Sequence, residues 1–219
     1  MTVHHQQHGS IAVVIIDNPP VNVLNRAVRQ ELVYAVARLE ADPAVSAVVL
    51  AGAGASFVGG ADIAEFDRPV EEPSLPALIA AIESARKPWV AAVQGVALGG
   101  GLELILGCAY RLAGPAARFA LPEVGLGLIP GAGGTQRLPR LIGIEAALAV
   151  AAENRRLGAE EAQALGLVER VVAEDLLAEA IAFAGAAATR SLPVPAAQRD
   201  LAPPGAAFWE AAQTRIAAR

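Results

Sequence analysis

Three consecutive glycines, Gly99-Gly100-Gly101, sit at the junction of two apolar stretches, with a single acid just beyond them. The run from Trp89 to Val93 has the composition of a buried strand, and Leu102 to Leu112 is apolar enough to form a core helix. Glycines at a strand-to-helix junction let a ligand or another backbone come close and permit positive φ where it is needed. The first turn of a helix offers N–H groups without intrahelical acceptors, at the positive end of the helix dipole. Such a junction can hold negative charge that develops on an oxygen during a reaction. Glu103 lies one turn into the same apolar segment, where a carboxylate is costly unless it is paired or used.

Around this junction the chain alternates short buried strands with helices. Ile11 to Ile16 is a β-branched run closed by Asp17-Asn18-Pro19-Pro20. Asn25 is placed to cap a helix from Arg26 to Glu40, in which Val28, Leu32, Val36 and Leu39 recur at helical spacing. Val45 to Ala51 reads as a second strand, and Asp62 is placed to cap a helix that starts at Ile63. Arg68 to Pro76, with three prolines and two glutamates, reads as an exposed, mobile loop. Leu78 to Arg86 predicts a short helix, stopped by Lys87-Pro88. Beyond the glycines come a short strand at Phe119-Ala120 and a glycine-rich turn from Gly125 to Gly134. Helices are expected near Glu145 to Ala152, Gly158 to Leu165 and Glu174 to Ala188, with a strand at Val168 to Val172. Residues 1–190 therefore predict one α/β domain. Past Arg190, Pro193, Pro195, Pro203 and Pro204 mark residues 191–219 as a linker ending in a short helix, Ala206 to Ala218.

A length of 219 residues and a hydrophobic fraction of 54% suffice for one sizeable core and exclude general disorder. No apolar run reaches the roughly 18 residues of a membrane span without a charge or proline. Met1 to Ser10 lacks the basic-then-apolar layout of a secretory leader. A net charge of −5, one lysine (Lys87) and scattered arginines argue against a nucleic-acid partner. Cys108 is the only cysteine, which rules out an internal disulfide and fits a reducing, cytoplasmic setting. Ala217-Ala218-Arg219 does not read as a peroxisomal address. His4, His5 and His8 cluster near the start with no partners downstream, a polar end rather than a metal site. Their clustering also leaves no histidine for a Ser-His-Asp hydrolase. Gly52-Ala53-Gly54 follows a strand, yet Phe57 stands where a dinucleotide fingerprint needs glycine or alanine. Gly131-Ala132-Gly133-Gly134-Thr135 lacks the lysine of a phosphate loop.

Three long stretches resemble signatures of one known family. They are Ser56-Phe57-Val58-Gly59-Gly60-Ala61-Asp62-Ile63, the segment from Lys87-Pro88-Trp89 through Gly99-Gly100-Gly101-Leu102-Glu103, and Leu121-Pro122-Glu123-Val124 through Gly133-Gly134-Thr135-Gln136-Arg137-Leu138. From about Ile11 to Val172 the chain resembles the enoyl-CoA hydratase/isomerase, or crotonase, superfamily. The last stretch is most similar to the N-terminal hydratase part of bifunctional enoyl-CoA hydratase/3-hydroxyacyl-CoA dehydrogenases. The resemblance implies a superhelix of β-β-α turns with a short C-terminal helical tail. It also implies an acyl-CoA thioester bent into a pocket, and hydration of 2-enoyl-CoA of the fatty-acid β-oxidation type. Coenzyme A is then part of the substrate and no separate cofactor is implied. Carried over residue by residue, the two N–H groups that grip the thioester oxygen belong to Ala61 and Gly100, and the catalytic carboxyls to Glu103 and Glu123. Asp62, Ile63, Gly99, Pro130 and Gly131 are implied to bind substrate or CoA. A homo-oligomer, trimer or hexamer, is the family's usual assembly.

Hydrating a 2-enoyl thioester puts negative charge on the thioester oxygen as an enolate forms, which two preorganised donors would meet. A base must polarise the water while an acid protonates C2. By the resemblance Glu103 activates the water and Glu123 gives the proton. Plainer readings stand beside these. Glu103 would pair with an arginine such as Arg111, Glu123 would be a loop acid, and the glycines would serve a tight turn. Isomerising a Δ3- to a Δ2-enoyl-CoA needs only one carboxyl such as Glu123. The altered stretch after Arg190 raises a third reading of another class, a non-catalytic acyl-CoA-binding module.

Overall fold

A computed structural model describes residues 1–66, 69 and 71–217 of the chain. Two hairpin strands, β1 (Val3–His8) and β2 (Ile11–Ile16), lead into helix α1 (Arg26–Ala41), which Asn25 caps by accepting from Val28 N at 3.0 Å. Next come β3 (Ala47–Gly52), a 3-10 turn at Ile63–Glu65, α2 (Leu75–Glu83), β4 (Trp89–Val93) and β5 (Val96–Leu98). The central part holds α3 (Gly100–Leu106), β6 (Tyr110–Ala113), β7 (Arg118–Ala120) and a 3-10 turn at Pro122–Leu126. It continues through α4 (Gly134–Ile142), α5 (Ile144–Ala152), β8 (Leu157–Gly158), α6 (Ala159–Ala164), β9 (Arg170–Val171) and α7 (Leu176–Ala187). A 3-10 turn at Ala196–Gln198 and α8 (Ala206–Ala217) close the chain.

The main sheet runs β1-β2-β3-β4-β6-β9, antiparallel only between β1 and β2. Its parallel strands are covered on both faces, as parallel sheets are. Side chains alternate with the strand period. Val14, Ile16, Val48, Leu50, Ala91 and Val93 enter the larger core under α1, α2 and α3. Val13, Val49, Val90 and Ala92 enter a smaller core together with Ala180 and Ala184 of α7.

A second layer positions the site. β5 pairs parallel with β7, and single parallel bridges add Val58 beside Ala97 and Leu24 beside Ala61. Four chain segments thus run side by side in one direction, and each leaves the layer at the same end. Leu24 leads to Asn25, Val58 to Gly60-Ala61, β5 to Gly99-Gly100, and β7 to Leu121-Pro122-Glu123. The carboxyl ends of parallel strands are where α/β proteins place their ligands.

The structure departs from the sequence reading in several places. The core helix expected over Leu102 to Leu112 ends at Leu106, and Tyr110–Ala113 becomes β6, paired in parallel with β4. Gly107 caps α3 at that point, and a short apolar run does not by itself distinguish helix from strand. The polar end expected over Met1 to Ser10 is an edge strand, with its histidines exposed. Helix α4 begins inside the expected glycine-rich turn. The capped helix expected at Ile63 is a single 3-10 turn, in which Asp62 accepts from Ala64 N at 3.0 Å. The loop expected over Arg68 to Pro76 lies partly outside the described residues, and Leu75 already begins α2. The stretch after residue 190 packs on the domain: Arg140 donates to Arg199 O at 3.1 Å and Arg215 pairs with Glu153 at 2.6 Å. Among the described residues no helix is long and apolar enough to cross a membrane.

Candidate active site

Gly99 caps α3 with φ +49, and its N–H donates to Ala120 O at 2.9 Å, which ties the ends of β5 and β7 together. A Cβ there would stand 2.8 Å from Glu123 Oε1, so the glycine leaves the space that the acid uses. Gly100, the first residue of α3, lies against Ala61: a Cβ on Gly100 would be 3.3 Å from Ala61 N. Among the described residues neither the Ala61 nor the Gly100 N–H has an acceptor. Both residues line one cavity of about 470 Å³.

Glu103 and Glu123 line that same cavity. Glu103 is 2% exposed, and its Oε1 accepts the Ala132 and Gly134 N–H groups, each at 2.8 Å. Burial pushes its carboxyl above the usual carboxylate range, while the Gly134 and Ala132 N–H groups and the charge of Arg137 pull the other way. The paired reading with Arg111 does not hold. The Arg111 guanidinium goes instead to Leu167 O, Cys108 O and Glu169, at 2.6, 2.7 and 2.7 Å. Glu123 is half-buried, and among the described residues its Oε2 has no hydrogen-bond partner. Burial pushes its carboxyl up, a backbone N–H opposes this, and the nearby Glu103 adds to the rise. The two acids are thus close enough to feel each other's charge, in surroundings that treat them differently.

Of the other residues singled out in the sequence, Asp62 and Gly131 line the cavity. Ile63, Gly99 and Pro130 are not among its lining residues; Ile63 is 68% exposed, and Gly99 and Pro130 are buried. Among the described residues no group of three or more His, Cys, Asp or Glu side chains is arranged to hold a metal ion. Cys108 is buried, and its thiol is pushed up to about 12 by that burial. Gly52, the start of the apparent dinucleotide motif, serves packing: a Cβ there would be 2.4 Å from Phe57 O.

Residues 6–198 match the enoyl-CoA hydratase/isomerase family. The chain belongs to that family. It is 51% identical to a peroxisomal bifunctional enzyme of Danio rerio over 175 residues, which are 80% of this chain and 24% of that protein. It is 41% identical to a probable enoyl-CoA hydratase of Rhizobium meliloti (strain 1021) over 194 residues, 86% of this chain and 76% of that one. The crystal structure of an enoyl-CoA hydratase from Bacillus anthracis superposes with a TM-score of 0.81 at 34% identity, covering 87% of this chain and 78% of the other. The fold is the crotonase fold. The chain spans about a quarter of the length of the bifunctional relatives it matches.

Within this enoyl-CoA hydratase/isomerase family site, the sequence reading missed the groups that hold Glu103. Gly134 opens α4, and its N–H is one of the free donors of a helix start, a natural partner for an anion. The signal in the sequence is glycines followed by Thr135-Gln136-Arg137-Leu138, a run whose composition alone reads as a turn. Arg29 was also missed. Its buried guanidinium donates to Leu24 O at 2.9 Å, Glu65 Oε2 at 2.6 Å, Pro73 O at 2.7 Å and Glu71 O at 3.2 Å, tying α1 to the segment that walls the cavity.

Proposed function

We propose that the chain is an enoyl-CoA hydratase that adds water across the 2,3 double bond of 2-enoyl-CoA thioesters. One observation carries this reading: two residues whose adjacent main-chain N–H groups are unpartnered among the described residues, and two carboxyls with different hydrogen-bond partners, line a single cavity. The thioester oxygen takes hydrogen bonds from Ala61 N and Gly100 N, and each such donor is worth about 2.7–4 kcal/mol to an oxyanion.

The surroundings also support a proton assignment. Burial pushes both carboxyls up, but at Glu103 two N–H donors and the charge of Arg137 oppose that rise and support its use as the base. Glu123 has an unpartnered oxygen and a negative neighbour, which favour the neutral acid. Acids whose neighbours differ in this way can divide the base and acid roles. Glu103 takes a proton from water as the hydroxyl oxygen joins C3. Charge moves onto the thioester oxygen, and Glu123 delivers its proton to C2 as the enolate collapses. A proton then passes from Glu103 back to Glu123, so that the net change is one water added. No cofactor enters, because coenzyme A travels with the substrate. Asp62 and Gly131 line the substrate's path, and residues 1–190 form the catalytic unit.

The test follows the absorbance of the conjugated thioester as a short 2-enoyl-CoA is consumed. Turnover lost on both Glu103→Gln and Glu123→Gln supports the reading. Binding of the acyl-CoA with no rate above solvent would replace it with the non-catalytic module. The unpartnered Glu123 Oε2 also favours a second activity, Δ3-to-Δ2 isomerisation, since one carboxyl suffices to move a proton between C4 and C2. Isomerisation of a 3-enoyl-CoA that survives Glu103→Ala while hydration does not supports that division; equal loss of both opposes it.

Leu128 and Ile129, 43% and 78% exposed at the cavity, support a neighbouring subunit over this edge, and we assign a trimer or hexamer, to be read by sedimentation. A reducing, cytoplasmic setting is supported by the single buried thiol and is tested by cell fractionation.

A further inference from the structure

Arg137 is not itself a lining residue of the cavity, yet it sits behind the turn that holds the Glu103 carboxylate. It lies in the first turn of α4, and its guanidinium folds back over Gly133, where a Cβ would stand 2.0 Å from Nη1. Nη1 donates to Ala132 O at 3.2 Å. The residues on either side of Gly133 are the two whose N–H groups meet at Glu103 Oε1. Arg137 is held in turn by Glu83, the last residue of α2, through a two-armed pair: Nε to Oε1 at 3.1 Å and Nη2 to Oε2 at 2.7 Å. Both side chains are nearly buried, 11% and 13% exposed. Glu83 Oε1 also accepts Ala197 N at 3.1 Å, so the segment beyond residue 190 closes over the pair.

We propose that Arg137, gripped by Glu83, is the positioning residue for Glu103: it fixes the 132–134 turn that donates to the carboxylate and supplies positive charge that steadies it. A planar fork bound at two points holds a turn more firmly than an ammonium would. Among the described residues Arg137 pulls Glu103 toward its charged form and Glu123 is its acidic neighbour, with Glu83 offsetting part of the Arg137 charge; Arg26, Arg29, Asp62, Glu65 and Glu71 line the same cavity. Arg140, on the same helix, is turned to Gln136 O and Arg199 O. The proposal rests on Glu103 being the group that takes the water's proton.

The experiment is the pH profile of kcat/KM for hydration in three full-length variants, with Glu103→Gln as a control. Removing the positive charge in Arg137→Met makes the Glu103 carboxylate harder to form, so the acid limb moves to higher pH. Neutralising Glu83 in Glu83→Gln leaves the Arg137 charge less opposed, and the limb moves to lower pH. Arg137→Lys keeps the charge and loses the fork, so kcat falls about tenfold to a hundredfold, the scale of a small misplacement, with the limb near the wild-type position. Shifts in opposite directions support the proposal, because general loosening of the fold would not produce them. Shifts in the same direction, or none, overturn it. Should Arg137→Met not fold, Glu83→Gln and Arg137→Lys decide on the same criteria: a limb unmoved in the first, or kcat unchanged in the second, overturns it. Hydration retained in Glu103→Gln removes Glu103 as base and is read independently of the Arg137 and Glu83 arms.

Discussion

Gly134 and Glu103 are pressed together by the start of α4: the Gly134 N–H donates to Glu103 Oε1 at 2.8 Å, and a Cβ on Gly134 would stand 3.0 Å from that same oxygen. That Cβ would also meet Glu103 Cγ at 3.1 Å and Leu121 Cδ1 at 3.2 Å. Each neighbour would have to give by a few tenths of an ångström, and Glu103 is the one with a task. Gly134→Ala is therefore expected to lower kcat/KM about tenfold to a hundredfold. Stability should change little, because alanine is the better helix former by about 1 kcal/mol and offsets part of the crowding. Steady-state rates and a thermal melt on one preparation check both halves. A melt that collapses along with the rate would mean that the turn, not the carboxylate, is what suffered.

The three glycines that open α3 do different jobs, which separates activity from stability. A Cβ on Gly100 would meet Leu75 Cδ2 at 2.6 Å, a flexible side chain that can swing away, and would remain 3.3 Å from Ala61 N, beside the donor that the thioester oxygen needs. Gly100→Ala is expected to fold and to lose about a hundredfold to a thousandfold in kcat, the cost of one lost oxyanion donor. A Cβ on Gly101 would stand 2.5 Å from Val58 O, a backbone atom held by the Leu98 N–H at 3.1 Å. The layer that carries Ala61 would have to shift. Gly101→Ala is expected to cost about 1–3 kcal/mol of stability, a fall in Tm of several degrees for a chain of this size. Calorimetry and turnover on the pair test the contrast; equal melting temperatures would contradict it.

Much of this site was legible because its parts are local. Glycines at a strand-to-helix junction and an acid one turn on can be read at Gly99 to Glu103 without knowing what lies opposite. The parallel layer that brings Ala61, Gly100 and Glu123 to one end could not be read that way, since it is joined by the three-residue pairing of β5 with β7 and by single bridges such as Val58 to Ala97. β1 was missed because Val3–His8 is exposed from its second residue onward, so no burial period is written in it. The helix expected as far as Leu112 is a failure of periodicity: apart from Glu103 and Arg111 the run from Leu102 to Leu112 carries no charge to mark a face, and only its partners decide that 110–113 is a strand. Arg29 and Glu65 stand 36 positions apart, so nothing in either segment names the other.

The Arg29 network makes a prediction of its own. The guanidinium, buried under α1, binds the Leu24 carbonyl beside Ala61, the Glu65 carboxylate and the main chain at Glu71 and Pro73. It holds the wall of the cavity rather than the reacting atoms. Arg29→Met keeps the aliphatic stem and removes the donors, so the wall loosens. KM for the acyl-CoA is expected to rise about tenfold with a smaller change in kcat, since ground-state and transition-state binding weaken together. Breaking a buried ion pair costs about 3–5 kcal/mol when both partners are enclosed. Glu65 is about a third exposed, so the loss should lie below that range. Michaelis curves decide the matter: a fall in kcat at unchanged KM would place Arg29 in the chemistry.

Glu123 should set a pH dependence of stability as well as of rate. Its carboxyl is pushed up in the folded state, first by burial, so between the ordinary carboxylate pKa and the raised one the folded chain holds a proton that the unfolded chain has released. The slope of unfolding free energy with pH follows the protons bound by the unfolded state minus those bound by the folded one, and here that difference is negative. Stability from this group is thus fully present at low pH and is lost as pH rises through that window. Glu123→Gln removes the ionisation and gives the unpartnered Oε2 position a group without charge. At pH 7 the variant should be the more stable by about 1 kcal/mol, or roughly 2–4 °C in Tm, on the scale of an unsatisfied buried polar group. Below the ordinary carboxylate pKa the advantage should vanish, because both wild-type states are then protonated. Hydration should be lost at every pH. Melting curves of the two proteins from pH 4 to pH 8 test this, and a gap that stays constant across the range would show that Glu123 does not titrate in the folded chain as its surroundings require.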